Sequence, residues 1–109
     1  MKIYRRNNYI IRMGTNSKEN WRLIGEAKPF HYFFHLSTFP SCYVILEHNL
    51  NKVSNSLIIE CAKMCKMNTK YRNLPRIKVD YCLCDNVKRG DVVGEVIYKS
   101  NRKVKVVTI

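Results

Sequence analysis

The sequence predicts an α+β fold, a mostly antiparallel sheet of about five to six strands carrying one long and one short helix. Short segments of period-two alternation are separated by turn residues at hairpin-like distances, which is the pattern of an antiparallel sheet. One stretch, residues 54–68, instead repeats apolar residues at helical spacing. A hydrophobic share of 46% and a charged share of 26% belong to a folded chain. At 109 residues there is material for one modest core, so a single domain over residues 1–109 is expected.

Tyr9-Ile10-Ile11-Arg12-Met13 is short, apolar and β-branched, and it stops at Gly14, so it reads as the first strand. Asn16-Ser17-Lys18-Glu19 has the form of a capping box: Asn16 accepts from a first-turn amide while Glu19 reaches back. A short helix through Trp21, Leu23 and Ile24 follows and ends at Gly25. Residues 30–36 place Phe30, Tyr32, Phe34 and Leu36 on one face and His31, Phe33 and His35 on the other, a half-buried strand. Phe39-Pro40-Ser41 is a turn, and residues 42–48 return as a hairpin partner.

After a polar loop, Leu57, Ile58, Cys61, Ala62 and Cys65 define the apolar stripe of the long helix, residues 54–68. Pro75 marks the next boundary. Residues 76–84 then alternate, with Ile77, Val79, Tyr81 and Leu83 facing one way and Arg76 and Lys78 the other. A loop holding Lys88, Arg89 and Gly90 leads to two closing strands, 94–99 and 102–109, on either side of Ser100-Asn101.

The charge is the most informative functional feature. Twenty Lys and Arg against eight Asp and Glu leave +12, spread through the predicted elements rather than gathered in a tail. Such self-repulsion in a folded chain points to a polyanionic partner, nucleic acid before an acidic protein or an anionic surface. Residues 1–62 carry +4 and residues 63–109 carry +8, so the second half is expected to supply most of the binding face. No apolar run approaches the roughly 18 residues of a membrane span, so no membrane partner is expected. The first residues lack the apolar stretch of a secretory signal, and the five cysteines make a poor disulfide framework. A cytoplasmic setting, with the cysteines as small buried hydrophobes, is the expectation.

Lys63, Lys66 and Lys70 recur along one side of the long helix, and Arg72 follows soon after. Acidic partners at i±4 are nearly absent, which favours a phosphate-tracking stripe over an ordinary solvated helix face. Around the short helix, Arg12, Lys18 and Arg22 surround free first-turn amides, an anion site unless Asn16 and Glu19 merely satisfy those amides. His35 has the chemistry to stack on or hydrogen-bond to a base, or to be an ordinary strand histidine satisfied by a carbonyl. Among the tyrosines, Tyr71 is expected to be exposed. Cys61 and Cys65 have zinc-like spacing but lie on the apolar helix face, so no metal or other cofactor is expected. The carboxylates, Asp80 among them, form no catalytic motif, and Asp80 is expected to pair with a cation in the sheet. No enzymatic activity is expected.

The order of motifs is itself distinctive. Gly14-Thr15-Asn16 ends a strand, Asn20 lies in the short helix, and Phe33-Phe34-His35 and Phe39-Pro40-Ser41 follow. Then come the Ala- and Cys-containing helix, Val79-Asp80-Tyr81, the basic pair Lys88-Arg89, Gly94-x-Val96 and Lys105-Val106-Val107. From Tyr9 to Thr108 this series resembles the RNA-binding domain of the NFACT proteins (NFACT-R). The family often has Gly-Arg-Asn at Gly14-Thr15-Asn16 and Trp-Phe-His at Phe33-Phe34-His35, and a His where this chain has Tyr43. The resemblance implies a stand-alone domain of this type that binds RNA, either tRNA or rRNA, near the ribosome or in its quality control. It also adds Asn20, Ser41, Lys88 and Arg89 to the candidate contacts and strengthens His35. Phosphate contacts do not distinguish the two sugars, so a DNA-binding or DNA-sensing module is the first rival. A basic adaptor docking on an acidic protein is the second.

Overall fold

In the computed structural model, which describes residues 1–109, eight strands and two helices follow one another as β1 (Lys2–Arg5), β2 (Tyr9–Met13), α1 (Ser17–Glu26), β3 (Tyr32–Leu36), β4 (Val44–His48), α2 (Asn55–Met67), β5 (Lys78–Leu83), β6 (Val87–Arg89), β7 (Val96–Tyr98) and β8 (Lys105–Thr108). Six of the strands form one antiparallel sheet in the order β1-β2-β4-β3-β5-β8, and β6 and β7 form a separate two-stranded sheet. This is the α+β architecture expected, with two revisions. The first strand, β1, pairs with β2 through Lys2↔Met13 to Arg5↔Ile10 across the turn at Arg6-Asn7-Asn8. The two closing strands part company: β7 pairs with β6, the segment expected to be a loop, while β8 pairs with β5 at the edge of the main sheet.

Period-two alternation sends side chains to both faces of the sheet, and here both faces are covered. On one, Phe34 and Leu36, Val44 and Leu46, and Ile11 and Met13 pack against Leu57, Ile58, Cys61, Ala62 and Cys65 of α2. On the other, Phe33, Ile45 and Cys82 pack against Leu23 of α1, with Cys84 and with Val87 of β6. Phe33 and Phe34 are therefore both fully buried. The half-buried reading of residues 30–36 failed because α1 and the small sheet roof what alternation alone leaves open to water. The expected strand also begins two residues too early, since Phe30 stays outside β3 and exposed.

The helix caps form as the sequence specifies. Asn16 Oδ1 accepts the Glu19 amide at 2.9 Å and Ser54 Oγ accepts the Leu57 amide at 3.2 Å. α1 runs one residue past Gly25, with Ala27 as its C-cap. Four of the five cysteines are buried, and all five are free. Burial pushes the Cys61 and Cys84 thiols up to about 12. Asp80 takes no cation: Ser37 donates to it at 2.6 Å and Tyr98 at 3.4 Å. No helix is long and apolar enough to cross a membrane.

Candidate nucleic-acid interface

Three loops meet where β2 ends. The chain turns at Gly14 into α1, the turn before β4 arrives with Ser41 and Cys42, and the segment after α2 brings Asn68 to Tyr71. They enclose an open groove of about 560 Å³. Its walls hold the ammonium groups of Lys2 and Lys70, several hydroxyl and amide side chains, and no carboxylate. The amides of Ser17 and Lys18 belong to the first turn of α1, where helix geometry provides no intrahelical acceptor. Their partial positive charge adds to that of the lysines.

Packing explains why the groove exists. The Tyr43 amide donates to Asn20 Oδ1 at 3.1 Å, and the Gly14 amide donates to the Tyr43 carbonyl, also at 3.1 Å. These two bonds tie the end of β2, the first turns of α1 and the start of β4 into one unit. The Tyr43 hydroxyl donates to the Gly94 carbonyl, which brings the β6–β7 turn against the same corner. Ser41 Oγ accepts from the Leu36 amide at 3.1 Å and fixes the neighbouring turn. On the far wall, Lys2 Nζ donates to Asn68 Oδ1 at 2.8 Å and spans β1 and the end of α2.

Of the residues picked out in the sequence, Asn16, Asn20, Ser41 and Lys70 line this groove together. Lys18 is exposed on the first turn of α1 beside it. The capping-box alternative is partly realised, since Glu19 Oε1 accepts from the Thr15 amide at 2.9 Å and from the Thr15 hydroxyl at 2.6 Å. Those bonds, with the chain's amino group, hold the Glu19 carboxyl down to about 2. Glu19 thus reaches back to residue 15 and leaves the amides of Ser17 and Lys18 alone.

Other candidates lie elsewhere. Lys66 does not belong to a solvated stripe: it is 9% exposed and its Nζ donates to the main-chain oxygen of Ile109 at 3.1 Å. Lys63 is exposed but faces away from the groove, over the outer surface of α2 near Tyr4 and Met67. Arg72, two residues beyond Lys70, is exposed, with a guanidinium nitrogen 3.4 Å from the Thr69 carbonyl. Arg12 and Arg22 are ion-paired to Glu47 and Glu26, each at 2.8 Å. His35 is half-buried between the rings of Phe33 and Tyr43, and burial lowers its pKa. Lys88 is exposed on β6, across the sheet from α2. Arg89 donates to the Trp21 carbonyl at 2.9 Å and covers the Trp21 ring at 5.0 Å, holding β6 against α1. Tyr71, by contrast, does line the groove, but it is partly buried rather than exposed, stacked on Phe39 at 4.2 Å.

Lys2 and Asn68 escaped the sequence reading because β1 did. The Asn7-Asn8 pair between Ile3-Tyr4 and Tyr9-Ile10 was the available hairpin signal. The groove also draws on both halves of the chain, not mainly on the more basic second half. No group of three or more His, Cys, Asp or Glu side chains is placed to hold a metal ion.

A surplus of twelve positive charges, with only Arg12 and Arg22 ion-paired among the Lys and Arg side chains, marks a nucleic-acid-binding domain. The family model of the NFACT protein RNA binding domain matches residues 2–102, and the chain belongs to that family of RNA-binding domains. It is 27% identical over 108 residues to coiled-coil domain-containing protein 25 from Bos taurus and to that from Mus musculus, matching 93% of this chain and 52% of each relative. The chain thus spans about half the length of the curated relatives it matches. The C-terminal part of the fibronectin/fibrinogen-binding protein from Streptococcus suis has the same fold, with a TM-score of 0.82 and 23% identity over 100% of this chain and 47% of that one.

Proposed function

We propose that this domain binds structured RNA, tRNA or rRNA, by seating the phosphate backbone in the groove at the start of α1. The observation that carries the reading is a groove walled by Lys2 and Lys70, open to the first-turn amides of α1 and free of carboxylates. Lys18 and Arg72 extend that cationic surface along the strand, while Asn16 and Asn20 supply polar contacts within it. Recognition of this kind follows the shape of the backbone and has weak sequence preference. The role fits a non-enzymatic module in the cytoplasm, acting close to the ribosome or its quality control. Membership of an RNA-binding family favours RNA over DNA as the polymer, and groove lysines without carboxylate partners, set among hydroxyl and amide side chains, favour a nucleic acid over an acidic protein.

The deciding experiment is fluorescence anisotropy with tRNA, an rRNA fragment and a length-matched DNA duplex at several salt concentrations. Binding should weaken linearly in log salt, and tRNA or rRNA should be preferred over DNA at each concentration. Equal affinity for DNA would make the module a general nucleic-acid binder. No binding to any polymer at low salt would overturn the reading.

A further inference from the structure

At the other end of β2, about 14 Å away at the rise of an extended strand, lies a second concavity of different make-up. Its volume is about 280 Å³. The β1–β2 turn, the end of β4 and the segment leading into β3 form its sides. We infer that this concavity is a subsite for an unpaired nucleobase, stacked on Phe30 with its flanking phosphates on Lys28 and Arg6. The inference rests on the RNA-binding reading and adds to it a site of a separate kind.

Phe30 is a large aromatic side chain left 49% exposed in a protein whose other three phenylalanines are buried or half-buried. It is not loose. The His31 ring meets it edge-on at 4.8 Å and the His48 ring at 5.8 Å. His48 is itself held at both ring nitrogens. Its Nδ1 accepts from the Leu50 amide at 3.1 Å, so its Nε2 carries the proton and donates to the Phe30 carbonyl at 3.2 Å. Main chain and ring of Phe30 are thereby fixed before any ligand arrives, which reduces the entropy lost when a base stacks on it.

The surroundings match a nucleotide. Arg6 and Lys28 are exposed and have no carboxylate partner. The one carboxylate on the rim, Glu47, is taken by Arg12 at 2.8 Å. Asn7, Asn8 and Asn49 also border the concavity, and none of their side-chain amides hydrogen-bonds within the protein, so they are available to base edges. An aromatic platform with adjacent cations is the arrangement that binds single-stranded nucleic acid, in which every base offers a face to stack. A paired base inside a duplex offers none. This concavity therefore selects unpaired nucleotides, whereas the groove at α1 tracks phosphates of either kind.

The test measures wild type, Phe30→Leu, Phe30→Trp and Lys70→Glu against an unstructured ten-nucleotide RNA and a blunt RNA duplex. A 2-aminopurine in the single strand reports stacking. Phe30→Leu keeps apolar bulk but removes the π face. It should weaken single-strand binding roughly 5- to 100-fold, remove the quenching of 2-aminopurine and leave duplex affinity within about twofold. Phe30→Trp should restore both signals, and Lys70→Glu should weaken both probes. If Phe30→Leu binds the single strand as wild type does, or loses duplex affinity equally, the subsite is wrong while RNA binding stands. If wild type binds neither probe, the RNA reading itself falls and the subsite with it.

Discussion

Asn20 Oδ1 occupies the space a Cβ on residue 14 would need, so Gly14 and Asn20 fit together only because residue 14 has no side chain. That close approach lets Asn20, which lines the groove beside Gly14, accept the Tyr43 amide. Gly14→Ala should push Asn20 away and leave the buried Tyr43 amide unpaired, a loss of about 1–3 kcal/mol. Asn20→Ala should cost a similar amount through the same orphaned amide. Chemical denaturation with unchanged m-values reads both, and a Gly14→Ala protein as stable as wild type would refute the fit.

Lysines that look alike in sequence should differ in function. Lys70→Glu removes a groove cation and should lower RNA affinity and reduce the salt slope by about 1. Lys63→Glu, on the outer surface of α2, should change both less. Lys66→Met should leave the salt slope unchanged and lower stability instead, because its ammonium is committed to the Ile109 oxygen. Equal slopes for Lys63→Glu and Lys70→Glu would mean that RNA does not select the groove.

Acidification should weaken the fold in a defined window. Burial lowers the pKa of His31, with His48, Lys28 and Arg12 adding to the effect and Glu47 opposing it, and burial also lowers that of His35. Below about 6.5 the unfolded chain takes up protons that the folded chain resists, so stability is full above that pH and falls as the solution is acidified. Protonation of His31 at Nδ1 also breaks its acceptance of the Lys28 amide, at 3.2 Å. Replacing His31 and His35 together by Gln should flatten the stability profile between pH 7 and 5. An undiminished slope in that double variant would assign the effect to other groups.

The small sheet should depend on one arginine. Arg89→Ala removes both the bond to the Trp21 carbonyl and the cation over the Trp21 ring. Stability should fall by about 1 kcal/mol, and the emission of the single tryptophan should shift as its ring loses that cover. An unchanged tryptophan spectrum would show that Arg89 does not hold β6 in solution.

Much of this was legible in the residues. The capping box at Asn16, the apolar stripe from Leu57 to Cys65 and the alternation through Phe34 and Leu36 are local signals, and each produced its element. Of the groove residues, Asn16 and Lys70 stand out in the sequence itself, and Asn20 and Ser41 through its resemblance to the family. What misled was the assignment of individual lysines to one surface from their spacing. Lys66 shares the spacing of Lys63 and Lys70 yet turns inward, where its ammonium joins the Ile77 amide as a second donor to a main-chain oxygen more than forty residues away, that of Ile109.

The sequence by itself determined the α+β class, the helix starts, most strands and the need for an anionic partner, since propensity, caps, periodicity and net charge are properties of neighbouring residues or of the whole composition. Only the tertiary structure decided which strands pair, that the sheet is covered on both faces, and which cations remain free. Those outcomes depend on contacts between distant segments, such as Gly14 with Asn20 and Tyr43, or Arg89 with Trp21. A side chain's task is set by the partner that packing brings to it, and no local pattern records that partner.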